Sequence, residues 1–161
     1  MITTKQTASI GASPDSIALV MRRPASIAAF PGIDSATPGA PGYRLEVEVA
    51  PLGFPMRDRV WLAWGLPHHS DDAVQYPFTI EGGRWLTGAG SARIAQRAHN
   101  VSDVTITWEL DPPRLLLAIP LMKPAMRRCL RLATRRWLRT VRVAAERPSA
   151  ARSLTLADVG A

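Results

Sequence analysis

The sequence predicts an α+β domain: one antiparallel sheet whose apolar face is covered by a long C-terminal helix. Three observations carry this. Five successive stretches between Tyr43 and Leu110 read as strands, and those at Tyr43, Val74 and Val104 alternate with period two, the mark of half-buried strands. They follow one another without intervening helical stretches, so they pair antiparallel instead of forming β-α-β units. The segment Pro124 to Arg147, PAMRRCLRLATRRWLRTVRVAAER, is the one long stretch with a helical period, and it holds eight arginines against one glutamate.

Each element has a local reason. Ile2, Thr4, Gln6, Ala8 and Ile10 share one side of an alternating run, residues 2–10, which forms the first strand. Ser13-Pro14-Asp15 opens a helix with a capping hydroxyl, a proline at the first helical position and an acid in the first turn. It runs through Ile17, Val20 and Met21. Pro24 breaks it and starts a second short helix, Ala25 to Phe30, which Pro31-Gly32 ends. DSATPGAPG, residues 34–42, reads as a turn-rich loop. Tyr43 to Val49 is a strand, PLGFP turns the chain, and Met56 to Trp64 returns.

LPHHSDDA is a polar loop. Val74, Tyr76, Phe78 and Ile80 mark the next strand, where Pro77 points to an edge or a bulge. Gly82-Gly83 reads as a hairpin turn, and Arg84 to Arg97 as a long strand loosened by Gly88 and Gly90. A turn at Ala98-His99-Asn100 leads to a last strand with Val104, Ile106, Trp108 and Leu110 on one face, ended by Pro112-Pro113. Residues 1–148 are expected to form a single domain and 149–161 a flexible tail.

The net charge of +7 is local. Residues 123–152 carry ten Lys or Arg against Glu146 alone, whereas the rest of the chain holds ten basic and twelve acidic residues. At about 100° per residue, Met126, Leu130, Ala133, Trp137, Val141 and Ala144 form one stripe of the helix. Arg127, Arg128, Arg131, Arg135, Arg139 and Arg142 form the other. The first stripe packs on the sheet, and the second reads as a solvated face. The rival reading is attraction to an anionic membrane surface or an acidic protein through Arg127, Arg131, Arg135 and Arg139. Nucleic acid is not expected, because the helix lacks interleaved exposed aromatics.

The lone cysteine, Cys129, excludes an internal disulfide and a cysteine-rich metal site, and it fits a reducing, cytoplasmic setting. MITTKQTASIGAS lacks the basic start and apolar run of a secretory signal. No run of about 18 apolar residues offers a membrane span.

SPDSIALVMRRPASIAAFPGI resembles the opening helices of the START-related (SRPBCC) superfamily. VTITWELDPP followed by PLMKPAMRRCLRLATRRWLRTVRVAAER resembles the closing strand, linker and long helix of its bacterial polyketide cyclase/dehydrase-like members. The resemblance spans nearly the whole chain. It implies a helix-grip fold, in which a curved antiparallel sheet wraps around the C-terminal helix and leaves an apolar cavity. Members bind lipids, quinones, polyketides or other hydrophobic molecules there, and some catalyse cyclisation, dehydration or hydrolysis. No catalytic residue carries over to this chain.

In such a cavity the polar exceptions on the apolar face are the candidates. Asp58 shares the phase of Met56, Val60, Leu62 and Trp64, so a desolvated carboxylate could serve as general acid or base, with Tyr76 as partner. The alternative is that Asp58 pairs with Arg57, Arg59 or another arginine at the rim. Tyr43, Tyr76 and Gln96 share an inward phase and could orient a ligand carbonyl or hydroxyl. Trp64, Trp108 and Trp137 would supply flat walls, with Met126 and Leu130 beside them. Cys129 falls on the flank of the helix stripe as a small core residue.

His68-His69 with Asp71 and Asp72, and His99, read as solvated loops and turns, and no metal ligand set has a recognisable spacing. Gly88-Ala89-Gly90 is too short for a phosphate loop, and no cofactor is expected. Three functions follow: a binder of a hydrophobic molecule, a cyclase or dehydratase using Asp58 with a tyrosine, or a lipid or quinone carrier docking through the arginines.

Overall fold

The computed structural model describes residues 1–40 and 42–147; the expected tail, 149–161, lies outside the described residues. Eight strands form one antiparallel sheet: β1 (Ile2–Ile10), β2 (Ile33–Pro38), β3 (Tyr43–Val49), β4 (Met56–Trp64), β5 (His68–His69), β6 (Ala73–Glu81), β7 (Gly88–Ala98) and β8 (Val101–Leu110). Their order is β1-β8-β7-β6-β4-β3-β2, with β5 attached to β6. Helices α1 (Pro14–Met21) and α2 (Pro24–Ala28) follow β1, and α3 (Arg114–Leu117) and α4 (Met122–Ala145) close the chain. This is the α+β helix-grip architecture, a curved sheet around a long C-terminal helix. No helix among the described residues is long and apolar enough to cross a membrane.

The local signals act as their chemistry requires. Ser13 caps α1, its Oγ accepting from the Ser16 N–H at 3.3 Å, with Pro14 in the first turn. Ile17, Val20 and Met21 are then buried against β7 and α4. Register between β1 and β8 runs without a shift from Ile2↔Leu110 to Ile10↔Ser102, so the first and last strands lie side by side.

Several features differ from expectation. In LPHHSDDA, expected as a polar loop, His68 and His69 pair with Gln75 and Val74 of β6 and form the two-residue β5. The stretch predicted as a loop after Ile33 forms β2, because the outer edge of β3 offers it a ladder; β2 ends at Pro38, as an edge strand can. The predicted strand from Arg84 begins only at Gly88, because residues 82–87 fold inward onto another partner, described below. A short α3 follows the double proline, and Leu121, with a left-handed φ of 64°, turns the chain into α4.

Helix α4 buries Met122, Met126, Thr134, Trp137, Leu138, Val141 and Ala145, while Leu130, Ala133 and Ala144 of the expected stripe are half-buried. Thr134 is the polar member, and it is satisfied. Its hydroxyl donates to the Leu130 carbonyl at 2.7 Å and accepts from Trp108 Nε1 at 3.0 Å. Trp137 is 5% exposed and its Nε1 donates to the Ser26 carbonyl at 2.7 Å, tying α4 to α2. At the far end the Glu146 carboxylate accepts from the Gly11 N–H at 2.8 Å and from Arg142 Nε at 3.0 Å.

Two outcomes follow. Trp137→Ala removes a buried ring and leaves the Ser26 carbonyl unpaired, so it should cost about 3–5 kcal/mol in urea unfolding. The Gly11 N–H holds the Glu146 carboxyl below the usual carboxylate range, opposed by partial burial and helped by Arg142. A depressed folded-state pKa stabilises at neutral pH, and that contribution is lost as pH falls through it. The unfolding midpoint of Glu146→Gln should therefore lie below wild type at pH 7 and converge with it in acid.

Candidate functional site

Between the concave face of the sheet and α4 lies a cavity of about 150 Å³. The sheet supplies Leu45, Val47, Val60, Leu62, Ile80 and Leu110 among its walls, and α4 supplies Met126, Cys129, Leu130, Ala133 and Trp137. Ile27, Phe30 and Pro31 close it from α2 and the loop after it. Every lining side chain is apolar except for the Cys129 thiol and the indole N–H groups of three tryptophans. Cys129 is exposed as well as lining, so the cavity reaches the surface beside the first half of α4.

A row of aromatic rings forms part of the wall. Trp64 meets Phe78 edge-to-face at 5.3 Å, Phe78 meets Trp108 at 4.9 Å, and Phe30 bridges Trp108 at 5.5 Å to Trp137 at 5.8 Å. Gly90 makes this row possible: Phe78, its cross-strand partner, lays its ring where any Cβ at position 90 would stand. The candidates Trp64, Trp108, Met126, Leu130 and Trp137 all line the cavity. Phe30, Phe78 and Leu86 join them. Phe78 carried the inward phase of β6, whereas nothing local marks Phe30 or Leu86, which tertiary folding brings in.

The other candidates lie elsewhere, and their positions correct the picture of polar groups converging inside. Asp58 sits on the concave side of β4, yet its carboxylate is fully engaged. Oδ1 accepts from the N–H groups of Arg59 (3.0 Å) and Arg84 (2.9 Å), and Oδ2 from those of Trp85 (2.7 Å) and Leu86 (2.9 Å). Four acceptor positions meet four donors. Three successive amides pointing at one anion explain why residues 82–87 leave the β6–β7 ladder. Gly83 is needed for this approach, since a Cβ there would stand 2.8 Å from Asp58 Oδ2 and 2.7 Å from Val60 Cγ1. Arg57 and Arg59 instead pair with Glu48 (3.0 Å) and Glu46 (3.3 Å) across β3.

Tyr43 and Tyr76 stand outside the cavity, where α1 passes into α2. The Tyr43 hydroxyl donates to the Arg22 carbonyl at 3.1 Å, and the Arg22 guanidinium lies 5.7 Å from the Tyr76 ring centroid. Gln96 is exposed, past Ile94, the last buried residue of β7, where the strand leaves the covered layer; its amide donates to the Ala98 carbonyl at 3.4 Å. Cys129 is exposed at the cavity's edge and is not a core residue. His68 and His69 form the exposed β5, and no cluster of three or more His, Cys, Asp or Glu occurs among the described residues.

Asp58→Asn places a donor NH₂ against main-chain donors. It should cost about 2–4 kcal/mol, with faster hydrogen exchange at the amides of Arg84, Trp85 and Leu86. Unchanged exchange at those three amides would contradict the clamp.

No family model and no curated protein matches this sequence. Solved structures do match in shape. A conserved protein from Geobacillus kaustophilus aligns with a TM-score of 0.71 at 10% identity, over 89% of this chain and 95% of its own. The Zhui aromatase/cyclase from Streptomyces sp. R1128 aligns at 0.68 and 14% identity, over 90% and 93%. A START superfamily protein from Mycobacterium smegmatis aligns at 0.60 and 14% identity, over 84% and 93%. At these identities the likeness is one of fold, and the chain has the START/polyketide cyclase-like fold.

Proposed function

We propose that this chain binds a hydrophobic small molecule, polyketide-, lipid- or quinone-like, in the cavity between sheet and α4. The observation that carries the reading is the wall itself: among the described residues its side chains are apolar throughout, with no carboxylate, imidazole, guanidinium or amine. Burying apolar surface is then the driving force for binding. The aromatase/cyclase of the same fold suggests turnover as the rival, but acid–base chemistry needs polar groups within reach of a bound ligand. Asp58 is saturated by main-chain donors, and Tyr43 and Tyr76 lie outside the walls. These placements favour binding without turnover. Mass spectrometry of molecules that co-purify with the protein identifies the ligand. Ala133→Phe, which fills the cavity from α4, should lower affinity for it at least tenfold while the protein stays folded; unchanged affinity would place the site elsewhere.

A second reading, uptake from an anionic membrane, is favoured by the surface around the cavity's edge. The turn Pro51–Gly53 packs on α4, and Pro51 lines the cavity. Beside it Leu52 and Phe54 are each 57% exposed, and Leu52 is held in a left-handed conformation. Arg128 and Arg131 are exposed on α4, the helix that this turn packs against. Among the described residues neither has a carboxylate partner, nor do Arg127, Arg135, Arg136 or Arg139. Basic side chains beside exposed apolar ones suit an anionic interface. Co-sedimentation with vesicles containing phosphatidylserine, and not with neutral ones, is expected. It should weaken in Arg128→Gln/Arg131→Gln and in Leu52→Asp/Phe54→Asp, and with salt, which screens exposed charges over about 8 Å at physiological strength.

A further inference from the structure

The cavity wall is apolar, and the polar atoms nearest to it are already spent or closed off. Trp108 Nε1 donates to Thr134 Oγ1 at 3.0 Å, and that hydroxyl donates in turn to the Leu130 carbonyl at 2.7 Å. Trp137 Nε1 donates to the Ser26 carbonyl at 2.7 Å, and Trp64 Nε1 is closed even to water. Strands β3, β4, β6 and β8 supply most of the sheet's share of the wall, and each has a neighbour on both sides. Their main-chain N–H and C=O groups therefore lie along the sheet and not into the cavity. Asp58 has all four acceptor positions filled. Among the described residues this leaves the Cys129 thiol, a weak donor, and it stands where the cavity reaches the surface.

We propose that the part of the ligand held in the cavity is hydrocarbon alone, and that any oxygen or charge it carries stays at the opening beside Cys129. This rests on the cavity-binding reading above and narrows its three classes to the lipid-like one. An oxygen taken inside gives up its hydrogen bonds to water and meets no donor in return. A quinone carries oxygens at opposite ends of its ring, so it must bury at least one. A polyketide carries a carbonyl at every second carbon and buries several. An alkyl, alkenyl or aryl group buries none. Size sets a second bound: a dry apolar cavity of about 150 Å³ holds one aromatic ring, so a long acyl chain would enter only in part.

The test uses three probes of nearly one shape, p-xylene, p-cresol and hydroquinone, in which hydroxyls replace no, one or both of two opposed methyls. Their Kd values are measured by NMR titration in anaerobic buffer, which keeps hydroquinone reduced. p-Xylene should bind wild type and lose at least about tenfold in Ala133→Phe, which fills the cavity. p-Cresol can leave its hydroxyl at the opening and should bind within about thirtyfold of p-xylene. Hydroquinone must take one hydroxyl inside, and should bind at least about a hundredfold more weakly than p-cresol. Hydroquinone within a smaller factor of p-cresol means that a buried hydroxyl has found a partner; the hydrocarbon rule is then overturned and the cavity reading survives. A larger loss at p-cresol overturns the placement of the polar end at the opening. If p-xylene fails to bind, or binds Ala133→Phe as tightly, the cavity reading itself fails and the rule with it.

Discussion

The structure depends on one constraint: a sheet with an apolar concave face must be covered, and only α4 is long enough to cover it. Its N-terminal half lies over the cavity cluster around Leu45, Val60 and Ile80, and its C-terminal half over the cluster of Ile17, Ile94 and Val104. Among the described residues, polar ties hold the helix along its length: Thr134 meets Trp108 of β8, Arg135 meets Gln6 of β1, Trp137 meets Ser26 of α2, and Glu146 meets Gly11 after β1. These are polar ties inside or beside an apolar contact, so they fix the position of the helix more than they drive its docking. The cavity is what remains where the sheet curves away from a helix so fixed.

Polar chemistry is correspondingly kept out of that space. Of the polar groups that sequence phase directs inward, each is engaged elsewhere or lies beyond the walls. Asp58 serves the loop of residues 82–87, the Tyr43 hydroxyl serves the Arg22 carbonyl, and Tyr76 lies against Arg22. The Asp58 clamp still reaches the cavity indirectly, because the loop it gathers carries Leu86 into the wall. A residue that looks like an acid–base group in one dimension thus acts on the shape of the site.

The concentration of positive charge on α4 has a simple structural origin. A helix that packs one face on a sheet must show water the other, and here six arginines, Arg128, Arg131, Arg135, Arg136, Arg139 and Arg142, dominate that face, with Leu132 and Val143 exposed among them. Among the described residues the arginines of α4 make one ion pair, Arg142 to Glu146 at the helix end at 3.0 Å, and one side-chain hydrogen bond, Arg135 to Gln6 at 2.7 Å, so most of the charge has no carboxylate partner there. Surface charges of this kind contribute little to stability, which leaves them available to a partner.

Much of the fold was legible in the sequence, because the signals involved are local. Period-two alternation marked β1, β3, β4, β6 and β8, flanking turns marked β7, Ser13-Pro14 marked the start of α1, and the segregation of arginine from Met126, Trp137 and Val141 marked α4. The tryptophan and helix residues of the cavity wall were legible too, since a side chain's face follows from its position in a strand or helix. What tertiary structure alone decided are the partners. The alternation that turns Asp58 inward says nothing of the three amides that arrive from 26 to 28 residues away to take its carboxylate. Nor does it place Phe30 between Trp108 and Trp137, or pair β2 with β3. A face is set by dihedral angles a few residues long, whereas a hydrogen-bond partner is set by how distant elements pack, and the sequence encodes that only through the whole fold.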